Sequence, residues 1–266
     1  MTAPSSQTIV LITGTNRGVG RALAETYLAR PAHTLVALVR NPNSETSQSI
    51  LSYSAASGSR AILVPYNAED TSSASTAIST LATQHPQIAH LDLVIANAGS
   101  NTHMGPSLAV DAKTYLTHYT INALAPLLLF SATIPLMQKA FSPKFFALSS
   151  ATGSLQLMNS SNMRFDRSGK PRGGALPYTS AKCALNHLIM KLDIEYPDIV
   201  VGLFTPGPTK TGFTGGRVNW DLVLNAIEVG PVAEGLISQF DDFVKATGEE
   251  GNTFVLRDWK GDIIPW

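Results

Sequence analysis

The chain has 266 residues with 19 basic and 19 acidic side chains, so its formal net charge is zero. Proteins that bind nucleic acids or membrane surfaces usually carry clustered Lys and Arg side chains. This chain is neutral and has no basic run, so we expect neither partner. Residues 1–7 lack the charged and apolar segments of a signal peptide, and the apolar run at 124–130 is too short to span a bilayer. We therefore predict a single cytoplasmic domain over residues 1–266.

The cysteine and histidine content excludes two further kinds of site. Cys183 is the only cysteine, so it cannot form an internal disulfide, and it fits a reducing compartment. Its place in an apolar helical pattern indicates a small core residue rather than a nucleophile. The 6 histidines show no metal-ligand spacing, and we predict no metal.

The chain begins with a predicted nucleotide-binding turn. A β-branched strand at 8–13 leads into Gly14, Gly18 and Gly20 and then into a helix. Glycines allow a pyrophosphate to approach the backbone N–H groups at the helix N-terminus. The spacing Gly-x-x-x-Gly-x-Gly after Thr13 resembles the fingerprint of the short-chain dehydrogenase/reductase superfamily.

This resemblance implies a fold and the first cofactor contacts. The fold would be α/β, a Rossmann-type doubly wound, largely parallel seven-stranded sheet with helices on both faces. A nicotinamide cofactor would bind at the carboxyl ends of the strands. Contacts in the first turn would come from Gly14, Asn16, Arg17, Gly18 and Val19.

The second predicted strand, 34–39, ends in Arg40. An NAD-preferring relative would carry an acid there for the ribose 2′-hydroxyl. Arg17 adds a second guanidinium near the same place, and two guanidinium groups suit a 2′-phosphate through charge-assisted contacts. We therefore expect NADP(H) rather than NAD(H).

The third and fourth predicted strands lead to further cofactor contacts. Asn67 and Ala68 stand where relatives carry an acid and a small residue near the adenine, and the Asn67 amide oxygen could still accept from the adenine amine. Asn97, Ala98 and Gly99 match the superfamily's Asn-Ala-Gly signature at the cofactor edge of the sheet.

A long helical pattern at 111–139 contains Asn122 and, one turn later, Pro126. Proline has no N–H to bond back to residue 122, so the Asn122 carbonyl loses its intrahelical partner. In the superfamily the matching asparagine holds a water of the proton relay through its main chain.

The remaining candidate catalytic residues follow a predicted strand at 144–149. The superfamily's serine stands three residues before a glycine, which selects Ser150 over Ser149, and its hydroxyl would hold the substrate carbonyl. Tyr178 and Lys182 lie one helical turn apart. A unit charge at about 4 Å and an effective dielectric of about 20 supplies about 4 kcal/mol. That energy would lower a phenol pKa from about 10 to about 7, so Lys182 would make Tyr178 a proton donor usable near neutral pH.

Residues 154–177 form an insertion, because the spacing from Ser150 to Tyr178 is roughly twice that of the commonest family pattern. The insertion is polar, and we expect a loop that borders the active site. Whether its Asp166 contacts substrate stays open.

The last third is predicted to shape the pocket. Pro206, Gly207, Thr209 and Thr211 resemble the superfamily segment beside the nicotinamide, with Thr211 at the carboxamide. Residues 208–225 occupy the position of the substrate lid, which would exclude water on closing.

The two ends of the chain resemble one branch of the superfamily. Residues 27–31 and 251–266 are similar to fungal norsolorinic-acid-type ketoreductases, a branch that relates to carbonyl reductases. The branch implies a bulky, polyketide-like or aromatic carbonyl substrate.

The order Asn122, Ser150, Tyr178, Lys182 is that of the superfamily and implies NADPH-dependent reduction of a ketone or aldehyde. Tyr178 and Lys182 would also border the nicotinamide ribose. Two alternatives stay open: a cyclisation or isomerisation with the nucleotide as a scaffold, and a nucleotide-sensing protein without turnover. The chain could be a monomer or a homo-oligomer, since relatives often pair through two long helices but the insertion is similar to that of monomeric relatives.

Overall fold

The computed structural model describes residues 7–160, 173–218, 223, 225–245 and 254–266. One sheet runs through this part of the chain. Its strands are β1 (Thr8–Thr13), β2 (His33–Val39), β3 (Arg60–Pro65), β4 (Leu93–Ala96), β5 (Lys144–Leu148), β6 (Val200–Thr205), β7 (Leu256–Asp258) and β8 (Ile263–Ile264).

The strand order across the sheet is β3-β2-β1-β4-β5-β6-β7-β8. All neighbouring strands pair in parallel except β7 and β8, which are antiparallel. The predicted doubly wound, largely parallel α/β fold is therefore confirmed, but the sheet is 8-stranded rather than seven-stranded. The additional strand β8 has only 2 residues, too few to leave an alternating pattern in the sequence.

Helices cover both faces of the sheet. They are α1 (Gly18–Leu28), α2 (Glu45–Leu51), α3 (Ser73–Gln84), α4 (Ala112–Tyr119), α5 (Ala125–Met137), α6 (Leu155–Met158), α7 (Leu176–Glu195) and α8 (Val229–Asp242). Side-chain caps fix three of the starts: Ser44 accepts from the Ser47 N–H before α2, Asp111 from the Thr114 N–H before α4, and Ser154 from the Leu157 N–H before α6.

Successive side chains of a strand point to opposite faces of the sheet and pack into two separate cores, as expected for a sheet covered by helices on both faces. In β1, Leu11 belongs to the core shared with α3, α5 and α7, whereas Ile12 belongs to the core shared with α1, α2 and α8. Phe145 and Phe146 of β5 divide in the same way. The two layers bury both faces of β1, β4 and β5, the strands whose carboxyl ends lead into the loops of the site.

The helix predicted at 111–139 is interrupted. A π-helical turn, Thr120–Leu124, separates α4 from α5 and contains Asn122. By length and composition, Ala112–Met137 is apolar enough to cross a membrane, although the sequence prediction considered only a short apolar run. The segment contacts α3, α7 and the sheet, as a core helix does.

The topology places a crevice where the strand order reverses. β1 is flanked by β2 on one side and β4 on the other, so the loops after β1 and β4 diverge to opposite faces. In open α/β sheets this point is the usual place for a ligand.

Candidate functional site

A cleft of about 410 Å³ lies at the carboxyl ends of the strands. Every residue predicted to contact the cofactor lines it. These residues are Gly14, Asn16, Arg17, Gly18, Val19, Arg40, Asn67, Ala68, Asn97, Ala98, Gly99, Tyr178, Lys182, Pro206, Gly207, Thr209 and Thr211.

The glycine turn after β1 has the close packing that a nucleotide cradle needs. Gly14 has φ +73°, a backbone conformation that favours glycine. A β-carbon at Gly20 would lie 2.3 Å from both the Asn97 amide nitrogen and the Gly14 carbonyl oxygen, so α1 can begin this close to β4 only with glycine there. The turn therefore leaves the backbone N–H groups at the start of α1 facing the cleft, which fits a pyrophosphate.

Asn97 braces the two loops at the crevice. Its side-chain amide donates to the Thr13 carbonyl at 2.8 Å, and its backbone N–H donates to the Thr13 hydroxyl at 3.0 Å. The Ala98 N–H donates to the same hydroxyl at 2.9 Å. The Asn-Ala-Gly segment thus joins β4 to β1 in addition to lining the cleft.

The residues predicted at the adenosine end lie on the surface of the cleft. Arg40 and Arg17 are exposed. The Arg17 guanidinium reaches toward Gly212, 3.5 Å from where a β-carbon on that glycine would lie. The Asn67 side-chain oxygen, expected to face adenine, accepts from the Glu69 N–H at 3.2 Å. That bond occupies one of the two acceptor positions of the Asn67 oxygen.

Asn122 is fully buried, and its side chain is used within the protein. Its amide nitrogen donates to the carbonyls of Ser100 and His118, both at 2.8 Å, and its oxygen accepts from the Ser100 N–H at 3.0 Å. Pro126 offers no N–H to the Asn122 carbonyl. The main-chain oxygen is therefore the part of this residue suited to a relay.

The two adjacent serines have different partners. Ser149 is buried and donates to the Asn186 side-chain oxygen at 2.5 Å. The Ser150 hydroxyl lies 2.9 Å from the Thr152 hydroxyl and accepts from the Thr152 N–H at 3.2 Å, and its interaction with Tyr178 favours a lower pKa of that phenol. A β-carbon at Gly153 would lie 2.8 Å from the Lys182 backbone, so glycine lets the serine turn pack directly on α7. Ser149 lines the cleft, whereas the predicted catalytic residues Ser150 and Asn122 are not among its lining residues; of the two serines, Ser150 is the one that interacts with Tyr178.

Tyr178 and Lys182 share one wall of the cleft. Tyr178 is half-buried, whereas Lys182 is only 4% exposed. The Lys182 Nζ lies 5.8 Å from the centre of the Tyr178 ring and donates to the Leu148 carbonyl at 2.7 Å. The i, i+4 spacing has thus put both groups on the same face of α7, but the ammonium is bonded to β5.

The pKa values oppose the expectation from spacing. Burial raises the pKa of Tyr178 to about 12, with the Ser150 hydrogen bond acting in the opposite direction. Burial also lowers the pKa of Lys182 to about 7. The expected fall of the tyrosine pKa to about 7 is wrong for this structure, because removal from water penalises both charged forms. Tyr178 is therefore a neutral phenol at neutral pH.

Sequence reasoning missed an aromatic contact at the same wall. The Phe213 ring packs edge-on against Tyr178 with ring centres 5.4 Å apart. One edge of the Phe213 ring also lies 3.3 Å from where a β-carbon on Gly99 would be. Phe213 belongs to the short 3-10 helix Gly212–Thr214, inside the predicted lid. No local pattern marks it, because its partners are distant in sequence.

Part of the predicted loop and lid lies outside the described residues. These parts are 161–172 of the insertion, with Asp166, and 219–222 and 224 of the lid. Cys183 is half-buried rather than a full core residue. Among the described residues, no group of three or more His, Cys, Asp or Glu side chains could hold a metal ion.

Comparisons with known proteins identify the family of the chain. The profile of the short chain dehydrogenase family matches residues 8–221. The chain is 31% identical to a norsolorinic acid ketoreductase of Aspergillus parasiticus, over 99% of this chain and 93% of that one. It is 37% identical to the short chain dehydrogenase gsfK of Penicillium aethiopicum, over 76% of each chain.

Among solved structures, the NADPH-bound carbonyl reductase from chicken fatty liver has a TM-score of 0.78. That structure is 24% identical and covers 99% of this chain and 100% of its own, so the likeness concerns the fold. The family profile, the sequence relatives and the fold agree. The chain belongs to the short-chain dehydrogenase/reductase family of oxidoreductases.

Proposed function

We propose that this protein reduces a ketone or aldehyde with NADPH, with Tyr178 as the proton donor. One observation carries the proposal: the side chains of Tyr178 and Lys182 share one wall of the cleft that the glycine turn opens, and the Ser150 hydroxyl interacts with the Tyr178 phenol. A binding protein without turnover has no need of a phenol held between a hydroxyl and an amine. When bound, the dihydronicotinamide supplies a hydride.

The phenol has the protonation state that a reduction needs. Because burial raises the pKa of Tyr178, the hydroxyl keeps its proton until an alkoxide develops on the substrate. An alkoxide is a stronger base than a phenolate, so transfer of the proton to it is favourable. The Ser150 hydroxyl, which interacts with Tyr178 in the structure, would turn its single hydrogen to the same substrate oxygen and hold it in place.

Lys182 and Asn122 would return the proton to the tyrosine. With a pKa of about 7, Lys182 has both charged and neutral forms populated near neutral pH, so it can give and take a proton there. The Asn122 main-chain carbonyl, which has no N–H partner at Pro126, is suited to hold a water of that relay. These roles rest on geometry and on the family resemblance.

The cofactor preference rests on charge. Arg40, at the end of β2, and Arg17, before α1, line the cleft without an acid at the β2 end. A 2′-phosphate would gain charge-assisted hydrogen bonds there, whereas a ribose hydroxyl would lack its usual acidic acceptor. By similarity to ketoreductases we propose a bulky, polyketide-like or aromatic carbonyl substrate, and a cytoplasmic location.

Loss of NADPH absorbance in the presence of a panel of ketones and aldehydes tests the proposal. Tyr178→Phe should lower the rate by roughly 10²- to 10⁴-fold, because the donor proton is gone. Its Kd for NADPH, followed by fluorescence, should change less than about threefold. Tyr53→Phe, a tyrosine outside the cleft, is the matched control.

Three outcomes separate the candidate functions. Cofactor consumption that survives loss of the Tyr178 hydroxyl contradicts the mechanism. Product formation without oxidation of the nicotinamide supports the scaffold alternative. Tight NADPH binding with no turnover of any carbonyl compound supports a nucleotide sensor.

A further inference from the structure

We infer that His118 is a positioning residue of the active site, because its imidazole holds the loop that carries Gly99, Ser100 and Thr102 along the cleft. The inference rests on the proposed reductase function only for its kinetic readout. The hydrogen-bonding geometry stands independently of it.

The loop after β4 has little structure of its own. Residues 97–104 contain no helix or strand, yet Gly99, Ser100 and Thr102 line the cleft. Their backbone forms no strand pairing, and side chains from the neighbouring helical segment bond to it instead. The Asn122 side-chain oxygen accepts from the Ser100 N–H, and its amide nitrogen donates to the Ser100 carbonyl.

His118 makes the corresponding contact two residues further along the loop. It is 2% exposed and lies in the last turn of α4, four residues before Asn122 of the π-helical turn. Its Nε2 lies 3.1 Å from the Thr102 backbone nitrogen and 3.4 Å from the Thr102 hydroxyl. The Asn122 amide also donates to the His118 carbonyl at 2.8 Å, so the two side chains form one unit.

The partners of the imidazole determine its tautomer. The His118 Nδ1 lies 2.8 Å from the Thr114 carbonyl, which can only accept, so the proton is on Nδ1. Nε2 then has a free lone pair, which accepts the Thr102 N–H. Both ring nitrogens therefore have a partner. Among side chains of similar size, the amide of glutamine also offers one donor and one acceptor that could replace them.

The consequence for the reaction follows from where the loop lies. Phe213 packs over Gly99, and Gly99 adjoins the Asn122 side-chain oxygen. A loop released at Thr102 can move relative to Tyr178 and alter the space in which the carbonyl must lie. A displacement of about 1 Å can lower a rate by about 10²-fold.

The test uses the full-length protein and two variants of similar size. His118→Leu removes both hydrogen bonds, whereas His118→Gln can keep a donor toward Thr114 and an acceptor toward Thr102. We expect His118→Leu to lower kcat/KM for the carbonyl substrate about tenfold or more at saturating NADPH. His118→Gln should recover most of that loss. His187→Leu, at an exposed histidine of α7, is the matched control and should behave as wild type.

Two readouts do not depend on turnover. In ¹⁵N spectra of histidine-labelled wild-type protein, the His118 signals should show the proton on Nδ1 and an acceptor at Nε2. Hydrogen exchange of the 97–104 segment should be faster in His118→Leu than in wild type and near wild type in His118→Gln.

A proton on Nε2 in the wild-type spectra overturns the inference, as does an unchanged exchange rate in His118→Leu. Equal kcat/KM in the Leu and Gln variants overturns it too, because a purely space-filling role would give that result. If His118→Leu does not fold, the wild-type spectra and the His118→Gln exchange rates still decide. A wild-type protein that reduces no carbonyl compound, but has the Nδ1 tautomer and the expected exchange pattern, contradicts the proposed function and leaves the positioning role supported.

Discussion

The Lys182 Nζ donates to the Leu148 carbonyl at 2.7 Å while lying 5.8 Å from the centre of the Tyr178 ring. The lysine is thus anchored to β5, although it lies on the same helix face as the tyrosine. Both groups are withdrawn from water, which lowers the pKa of the amine and raises that of the phenol. A bound anion or a substrate oxygen would meet a neutral phenol beside an amine that titrates near neutral pH.

Lys182 should make stability depend on pH. Its pKa is about 7 in the folded chain against an ordinary value of 10.5. Between these values the unfolded chain binds one more proton than the folded chain, so stability rises with pH across this window. The penalty for burying the charge is complete below about pH 7, where it amounts to about 5 kcal/mol, and is gone above about pH 10.5.

Lys182→Met removes this penalty. The variant should therefore be more stable relative to wild type at pH 6 than it is at pH 10. The difference in Tm between variant and wild type should be roughly 8–15 °C more favourable at the lower pH. Lys191→Met, at an exposed lysine of the same helix that pairs with Glu195, should show no such trend. A Tm difference that is the same at both pH values would show that Lys182 is charged throughout.

Ser150 and Ser149 should respond differently to substitution by alanine. Ser150→Ala removes the hydroxyl that interacts with Tyr178 and would hold the substrate oxygen, so it should lower kcat by roughly 10²-fold with a small change in Tm. Ser149→Ala leaves the buried Asn186 oxygen without its donor and should lower stability by about 1–3 kcal/mol. Steady-state kinetics and thermal melts check both. The assignment is wrong if kcat falls further for Ser149→Ala than for Ser150→Ala.

Arg40 should govern the choice between the two nicotinamide cofactors. Arg40→Asp removes a cation from the end of β2 and supplies an acceptor for a ribose hydroxyl. We expect the Kd for NADPH to rise about 10- to 100-fold, since a charge-assisted hydrogen bond contributes about 1.5–3 kcal/mol. The Kd for NADH should stay the same or fall. Arg60→Asp, at an exposed arginine that begins β3, controls for the change in charge. Parallel weakening of both cofactors in Arg40→Asp would refute a role for the 2′-phosphate.

Phe213 should limit the size of the carbonyl substrate. Its ring lies against Tyr178 and Gly99, so Phe213→Ala opens space beside the reacting groups. The ratio of kcat/KM for a bulky ketone to that for a small ketone should rise about tenfold. Phe141→Ala is the control, because Phe141 is 58% exposed. An unchanged ratio would mean that the ring leaves the site before substrate binds.

Much of the cofactor cradle could be predicted from local sequence. The strand at 8–13, the glycine spacing that follows it and the Asn-Ala-Gly segment after β4 all depend on residues that are neighbours in the chain. Parallel pairing then brings the ends of β1 and β4 together, because all parallel strands point the same way. The residues predicted along this edge therefore line one cleft.

The π-helical turn shows the limit of such reasoning. Pro126 predicts that the Asn122 carbonyl loses its helical partner, since that loss depends only on a missing N–H. The widening of the helix at Thr120–Leu124 and the contacts of the Asn122 side chain with Ser100 were not predictable. They depend on which loop packs against the helix.

By itself, the sequence determined the fold class, the order of the candidate catalytic residues and the edge of the sheet at which they lie, because periodicity, spacing and strand direction are local properties. Only the tertiary structure decided the chemical state of those residues. Burial of Tyr178 and Lys182, the bond from Lys182 to Leu148 and the placement of Phe213 over the tyrosine all join segments that are far apart in the chain. A pKa follows from the surrounding dielectric and hydrogen-bond partners, and neither is encoded by a spacing of four residues.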